Sequence, residues 1–210
     1  MKIAIAGYGV VGRGTHELLL MNRDKIAARA GEEIEVKYVL DPKPLEGTPA
    51  EQLKASGIEE ILADPEVKLL VEAIGGVGPA YEYVKAALES GRSVVTPNKQ
   101  LVAEKGAELL AIAREKNVGF LFEASVAGGT PVLHPISQCL WANDLDLAAG
   151  ILNGTTNYIL TKMVQEGAGF EETLREAQRL GYAEADPTAD IEGIDACRKA
   201  CILADLLFGK

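Results

Sequence analysis

The first fourteen residues constrain this chain more than any others. An apolar run, KIAIAG (2–7), leads straight into GYGVVG, so Gly7, Gly9 and Gly12 spell G-x-G-x-x-G where a strand meets a helix. In that spacing the first glycine permits a tight turn, the second lets backbone approach a pyrophosphate, and the third allows close helix–strand packing. The helix N-terminus adds N–H donors and the positive end of its dipole. An ordinary tight turn would also explain three glycines. The strand before them and the amphipathic helix after them make Gly7, Tyr8, Gly9, Val10, Val11 and Gly12 a candidate dinucleotide-binding loop.

Such a loop calls for an acid at the end of the second strand, and IEVKYVLD (34–41) supplies Asp41. A carboxylate there accepts hydrogen bonds from ribose hydroxyls and repels a 2′-phosphate, which favours NAD over NADP. Asp41 falls 29 residues after Gly12, against about 20 in the usual fingerprint; a lengthened first helix accounts for the difference. The competing reading is a turn-forming Asp before Pro42, and Lys43 beside it could still receive a phosphate.

Further apolar runs at 68–75, 92–96 and 118–126 alternate with helical spacing over 10–29, 79–90 and 97–116. Strands alternating with helices of this length predict βαβ units and a parallel sheet buried on both faces. The rhythm changes near residue 127, where AGGTP offers Thr130 as a helix cap and Pro131 as a first helical residue. A helix (131–142), a strand (145–152) and helices near 155–166, 170–180 and 193–208 are expected beyond it. The fold class is therefore α/β, a Rossmann-type nucleotide-binding domain over 1–128 followed by a second, α+β region over 129–210. The chain stops at LLFGK with no strand returning to either part, as a compact second domain or a fragment would.

Composition excludes several function classes. The balance of 21 basic against 31 acidic residues gives a net charge of −10, which argues against a nucleic-acid partner. No apolar run has the length of a membrane span, and the N-terminus lacks a signal-peptide pattern. Cys139, Cys197 and Cys201 form neither a disulfide framework nor a zinc site, and reduced thiols suit a cytoplasmic protein. Cys197 and Cys201 read as core thiols on an apolar stripe. His16 and His134 have no second ligand at metal spacing, and Trp141 and the tyrosines form no stacking platform. A small-molecule enzyme is what remains.

Its chemistry is sought at GYAEADPTADIEGIDACRK (181–199). Pro187 and Gly193 make 181–193 a loop, and the helix that follows is apolar on several sides and so mostly buried. Asp195 and Lys199, four residues apart, share one face near its start. They are either a solvated ion pair or an acid–base pair bordering a cleft, where desolvation makes a lysine amine available for proton transfer. The neighbouring acids are a hydrated loop or carboxylates for a cationic amino group. Lys99, in TPNK at the carboxyl end of the 92–96 strand, is either a surface lysine or a ligand at the edge where open α/β sheets bind.

GILNGTTNYIL (150–160), the 181–199 stretch, VEAIGGVGPAYEYVKAALESGRSVVTPNK (71–99) and LFEASVAGGTP (121–131) together resemble homoserine dehydrogenase. The resemblance covers nearly all of the chain in register. It implies interconversion of L-homoserine and L-aspartate 4-semialdehyde with NAD or NADP, in a homodimer serving threonine, methionine and isoleucine synthesis. It places the acid–base lysine on Lys199, a second active-site lysine on Lys99, and homoserine-binding groups on Gly181, Glu184 and Asp195. Cofactor contacts fall on the glycine loop with Ile74, Gly75 and Thr96 on the nicotinamide side. A monovalent cation, sodium, would be held by Glu123, Val126, Gly128 and Thr130. Asp41 stands where NADP-preferring members commonly carry arginine. Family members also continue through a segment that returns to the nucleotide domain, so a C-terminally truncated, cofactor-binding but inactive chain is the alternative. A dehydrogenase for another amino-acid aldehyde is the second.

Overall fold

The computed structural model describes residues 1–140 and 142–208. The chain divides into two compact units, Met1–Gly129 and the part from Thr130 onward. What was expected of Trp141, and of the Gly209–Lys210 end, lies outside the described residues.

Five strands make the sheet of the first unit: β1 (Lys2–Ala6), β2 (Glu35–Leu40), β3 (Val67–Glu72), β4 (Ser93–Val95) and β5 (Phe120–Leu121). They pair in parallel, in the order β2-β1-β3-β4-β5. Parallel neighbours need crossovers, and these are α1 (Val10–Met21), α2 (Arg23–Ala30), α3 (Ile58–Ala63), α4 (Gly78–Glu89) and α5 (Lys99–Lys116). The helix expected over 10–29 is thus two. At Asn22 the backbone N–H and Nδ2 both turn back to the Leu18 carbonyl, at 3.0 and 3.2 Å, which ends α1. The short α3 was not foreseen, since six residues with two buried isoleucines, Ile58 and Ile61, show too little periodicity.

Alternate residues of a strand face opposite sides of the sheet. Ala4, Leu70 and Val94 are fully buried on one side. On the other, Leu69, Val71, Val95 and Leu121 line an open apolar groove of about 440 Å³ together with Val11 and Leu19 of α1. Leu121 is 59% exposed there. Within the first unit, therefore, its own described helices do not cover both faces of the sheet, contrary to the expectation from its unbroken apolar strands.

In the second unit, α6 (Gly154–Glu166), α7 (Phe170–Arg179), α8 (Thr188–Ile191) and α9 (Ile194–Phe208) follow one another. Three expectations need correction. Of the helix over 131–142, the described residues form a short helical stretch that begins at 133 and passes into a π-helical turn, Pro135–Cys139, whose N-cap is His134 rather than Thr130. The strand over 145–152 does not form, and Leu147 and Ile151 are exposed; with no neighbouring strand among the described residues of this unit, its backbone has no ladder to join. Residues 181–193 are not all loop, because Asp186 accepts hydrogen bonds from the Thr188 backbone and hydroxyl at 3.1 and 2.5 Å just where α8 begins.

The last helix also departs from expectation. Of α9 only Asp195 and Ile202 are buried, and Cys197 and Cys201 are exposed rather than core thiols. Its described neighbours, α8 and the Pro135–Cys139 turn, cover one stripe of it.

The tightest packing is at the start of the chain. Gly7 has φ +92°, and a Cβ on it would lie 2.5 Å from the Ala73 carbonyl oxygen. A Cβ on Gly12 would lie 1.9 Å from the Gly7 carbonyl oxygen, whereas one on Gly14 meets nothing within 4 Å. Gly12→Ala is therefore expected to lower stability by about 2–3 kcal/mol or more through overpacking. Gly14→Ala should raise it by about 0.5–1 kcal/mol through helix propensity. Chemical denaturation of the two variants, side by side, checks both signs.

Candidate active site

The glycine loop is open where a phosphate would have to enter. Gly9 is the N-cap of α1 with no side-chain cap, and nothing lies within 4 Å of where its Cβ would be. Val10 and Val11, next along, are exposed. The loop's shape is held from behind. Asp41 accepts the Tyr8 backbone N–H at 2.6 Å and the Lys43 N–H at 2.8 Å, so this carboxylate ties the loop to the end of β2 and also closes the turn that its place before Pro42 suggested. The Tyr8 hydroxyl meets Nδ1 of buried His16 at 2.8 Å. Burial holds the His16 imidazole below its ordinary pKa and raises that of the Tyr8 phenol. His16 is a prop for the loop, a role its sequence position did not suggest.

Beside the loop, at the ends of β3 and β4, lie Ile74, Gly75 and Thr96. Glu72, fully buried, accepts the N–H groups of Ile74 and Gly75 at 2.7 and 3.0 Å and the hydroxyl of Thr96. The Thr96 oxygen accepts the Asn98 N–H at 2.9 Å. The Thr96 side chain is thus engaged inside the protein and 1% exposed. Asn98 caps α5 by accepting the Leu101 N–H at 3.1 Å, which makes Lys99 the first helical residue. Sequence reasoning passed over Glu72 and Asn98; a lone acid closing the apolar VKLLVE run was the available signal.

The second unit gathers another polar cluster. Lys199 Nζ donates to Asp195 Oδ2 at 2.7 Å and to the Leu152 carbonyl at 2.7 Å. The side chains of Lys199 and Asp195 are 16% and 3% exposed, so the carboxylate is buried and the amine half-buried above it. Asn153, the N-cap of α6, donates Nδ2 to both Asp190 and Asp195, at 2.7 and 2.8 Å. Thr155 donates its one hydroxyl proton between the Tyr182 carbonyl and Asp190, both at 2.8 Å. Burying charge demands such complete hydrogen bonding. Asn153, Thr155 and the part played by Asp190 were missed, although Asn153 before GTTNYIL has the form of a helix cap. Gly181, with φ +79°, and Glu184 are exposed on the turn after α7. Gln178 Nε2 donates to the Glu184 carbonyl at 3.1 Å. Tyr158 and Tyr182 do pair, with ring centroids 5.0 Å apart.

Of the residues named for a cation, Glu123 opens a 3₁₀ turn, Glu123–Ser125, and Val126 is fully buried. Ala127 and Gly128 then both have positive φ, at 61° and 57°, and Thr130 is exposed at the start of the second unit. No cluster of three or more His, Cys, Asp or Glu side chains suited to a metal occurs among the described residues.

Known proteins match both units. The family model for the NAD binding domain of homoserine dehydrogenase matches residues 7–123, and that for homoserine dehydrogenase itself matches 131–210. The homoserine dehydrogenase of Pseudomonas aeruginosa is 48% identical over 211 residues, covering 100% of this chain and 48% of its own. That of Bacillus subtilis is 43% identical, covering 99% and 49%. Among solved structures, a homoserine dehydrogenase from Thiobacillus denitrificans superposes with a TM-score of 0.91 at 45% identity, over 100% of this chain and 49% of that one. A hyperthermophilic archaeal homoserine dehydrogenase in complex with NADPH gives 0.86 at 30% identity, over 100% and 71%. The chain spans about half the length of the Pseudomonas, Bacillus and Thiobacillus proteins. With the glycine loop, the Asp195–Lys199 pair and matches running from residue 7 to the end, this chain belongs to the homoserine dehydrogenase family.

Proposed function

We propose that this chain carries the cofactor-binding and acid–base machinery of an enzyme interconverting L-homoserine and L-aspartate 4-semialdehyde, in threonine, methionine and isoleucine synthesis. The observation that carries the proposal is the half-buried amine of Lys199, held against the buried carboxylate of Asp195. Asp195 and the Leu152 carbonyl take two of its three donor directions, which fixes the amine and leaves one N–H for a substrate oxygen. A nicotinamide cofactor would supply or accept the hydride; the glycine loop, open at Gly9 and rigid at Gly7 and Gly12, fits its pyrophosphate.

The protein's own task is then one proton and one orientation. In the reducing direction Lys199, as ammonium, gives a proton to the oxygen that gains negative charge; in the oxidising direction the neutral amine takes the hydroxyl proton back. Asp195 holds that amine and shares substrate binding with Gly181 and Glu184, Glu184 offering its exposed carboxylate to the substrate ammonium. Lys99, first residue of α5, adds positive charge for the developing alkoxide. Residues 1–128 serve the cofactor and 129–210 the substrate. A sodium-type cation on Glu123, Val126, Gly128 and Thr130, hard oxygen ligands in a turn of two left-handed residues, belongs to the same proposal, as do a homodimer and a cytoplasmic location. No helix among the described residues is long and apolar enough to cross a membrane.

A second reading, a module that binds cofactor without turning substrate over, is favoured by the apolar groove that the first unit's own helices leave open on its sheet. Homoserine oxidation followed by reduced-cofactor absorbance separates the two: activity supports the enzyme, and NADH binding without homoserine-dependent turnover supports the module. In an active protein Lys199→Ala should lower kcat by about 10²-fold or more while the fold persists by circular dichroism. An unchanged rate removes Lys199 from the mechanism.

Cofactor choice is the finer question. Asp41 puts a carboxylate at the end of β2, which favours NAD, while the archaeal relative's complex holds NADPH. Asp41→Asn removes the charge and keeps one acceptor for the Tyr8 N–H. The NAD to NADP ratio of kcat/KM should then fall by about tenfold. A ratio that does not move shows that Asp41 serves the loop alone.

A further inference from the structure

Glu72 ends β3 opposite Ala6 of β1. It therefore stands where the strand order reverses, the place on an open α/β sheet where ligands bind. Its carboxylate has no exposure to solvent, yet it contacts no cation among the hydrogen bonds it makes. One oxygen takes the N–H groups of Ile74 and Gly75, and the other takes the Thr96 hydroxyl. A hydroxyl has one proton, so donation to Glu72 fixes Thr96 as the acceptor for the Asn98 N–H. Asn98 closes the circuit by donating Nδ2 to the Gly76 carbonyl at 2.6 Å. Loop 74–76 and turn 96–99 are thereby joined in one ring of hydrogen bonds, with Lys99 carried at its end.

The ring has a second consequence. Gly75 and Gly76 both have positive φ, and successive N–H groups in such a bend form a concavity that attracts anions. Glu72 fills it with the chain's own carboxylate, taking the Ile74 and Gly75 N–H groups.

We propose that Glu72 is a positioning residue for the nicotinamide end of the cofactor, locking Ile74, Gly75 and the Lys99 turn into one body. The proposal rests on the cofactor reading given above. Glu72→Gln keeps the size and one acceptor but presents an amide to Thr96, whose proton then has no acceptor. Thr96→Val cuts the same link from the other side.

The test is binding of NADH and of ADP-ribose, which lacks the nicotinamide, by fluorescence and calorimetric titration of the full chain, with melting temperature recorded for each variant. Both single variants should bind NADH about tenfold more weakly, the scale of a lost charged hydrogen bond, and bind ADP-ribose as the parent does. The double variant should lose no more than the worse single one, since both break one link. Equal losses for the two ligands, or a melting temperature that falls with affinity, would reduce Glu72 to a structural role and overturn the proposal. Unchanged NADH binding overturns it as well. A parent chain that binds neither ligand overturns the cofactor reading together with what rests on it, and one that binds ADP-ribose but not NADH overturns the nicotinamide role alone.

Discussion

A carboxylate taken out of water must have its oxygens hydrogen-bonded, or the loss of hydration costs several kcal/mol. That requirement organises the polar parts of this molecule. Buried Glu72 and Asp195, and half-buried Asp41, each sit at the end of a strand or the start of a helix, and each gathers donors from segments distant in sequence. Asp41 draws in the glycine loop, 33 residues away. Glu72 draws in the end of β4, 24 residues away. Asp195 draws in the cap of α6, 42 residues away. The apolar core sets the sheet, but these acids decide where the loops at its edge, and the polar face of α9, come to rest.

How much of this is legible beforehand depends on range. The glycine loop and the strands are local patterns: KIAIA and GYGVVG announce themselves, and the sheet follows from the alternation of runs. The Asp195–Lys199 contact is local too, a spacing of four on a helix. Its burial is not local, because it is decided by Asn153, Thr155 and Asp190 from elsewhere in the unit. Glu72 was invisible for the same reason. Nothing in VKLLVEAIGG says that the one acid is swallowed whole by its own following turn and a threonine from the next strand. The errors over 131–152 have a different source. LDLAAGIL has strand composition, yet a strand exists only as part of a ladder, and period alone does not supply a partner. The apolar residues of α9 predicted burial by the same over-reach, since periodicity reports what could be covered and not what covers it.

The Asp195–Lys199 pair has no economy as a device for stability. A buried ion pair is often matched or bettered by apolar side chains of similar volume, because Coulomb attraction scarcely repays two lost hydration shells. Here the pair sits in a helix that buries a single apolar residue, Ile202, among the described residues, so little hydrophobic gain offsets that cost locally. The offset comes from directed hydrogen bonds: Leu152 carbonyl and Asp195 to the amine, Asn153 to Asp195, and Asp190 and Thr156 completing the demands of Asn153. A network this complete holds an amine in one orientation, which stability does not need and proton transfer does. The energetic awkwardness of the pair is therefore itself an argument for the proposed chemistry. An apolar replacement would make a better helix, whereas the half-buried lysine there, hydrogen-bonded in two of three directions, keeps the third for the proposed proton transfer.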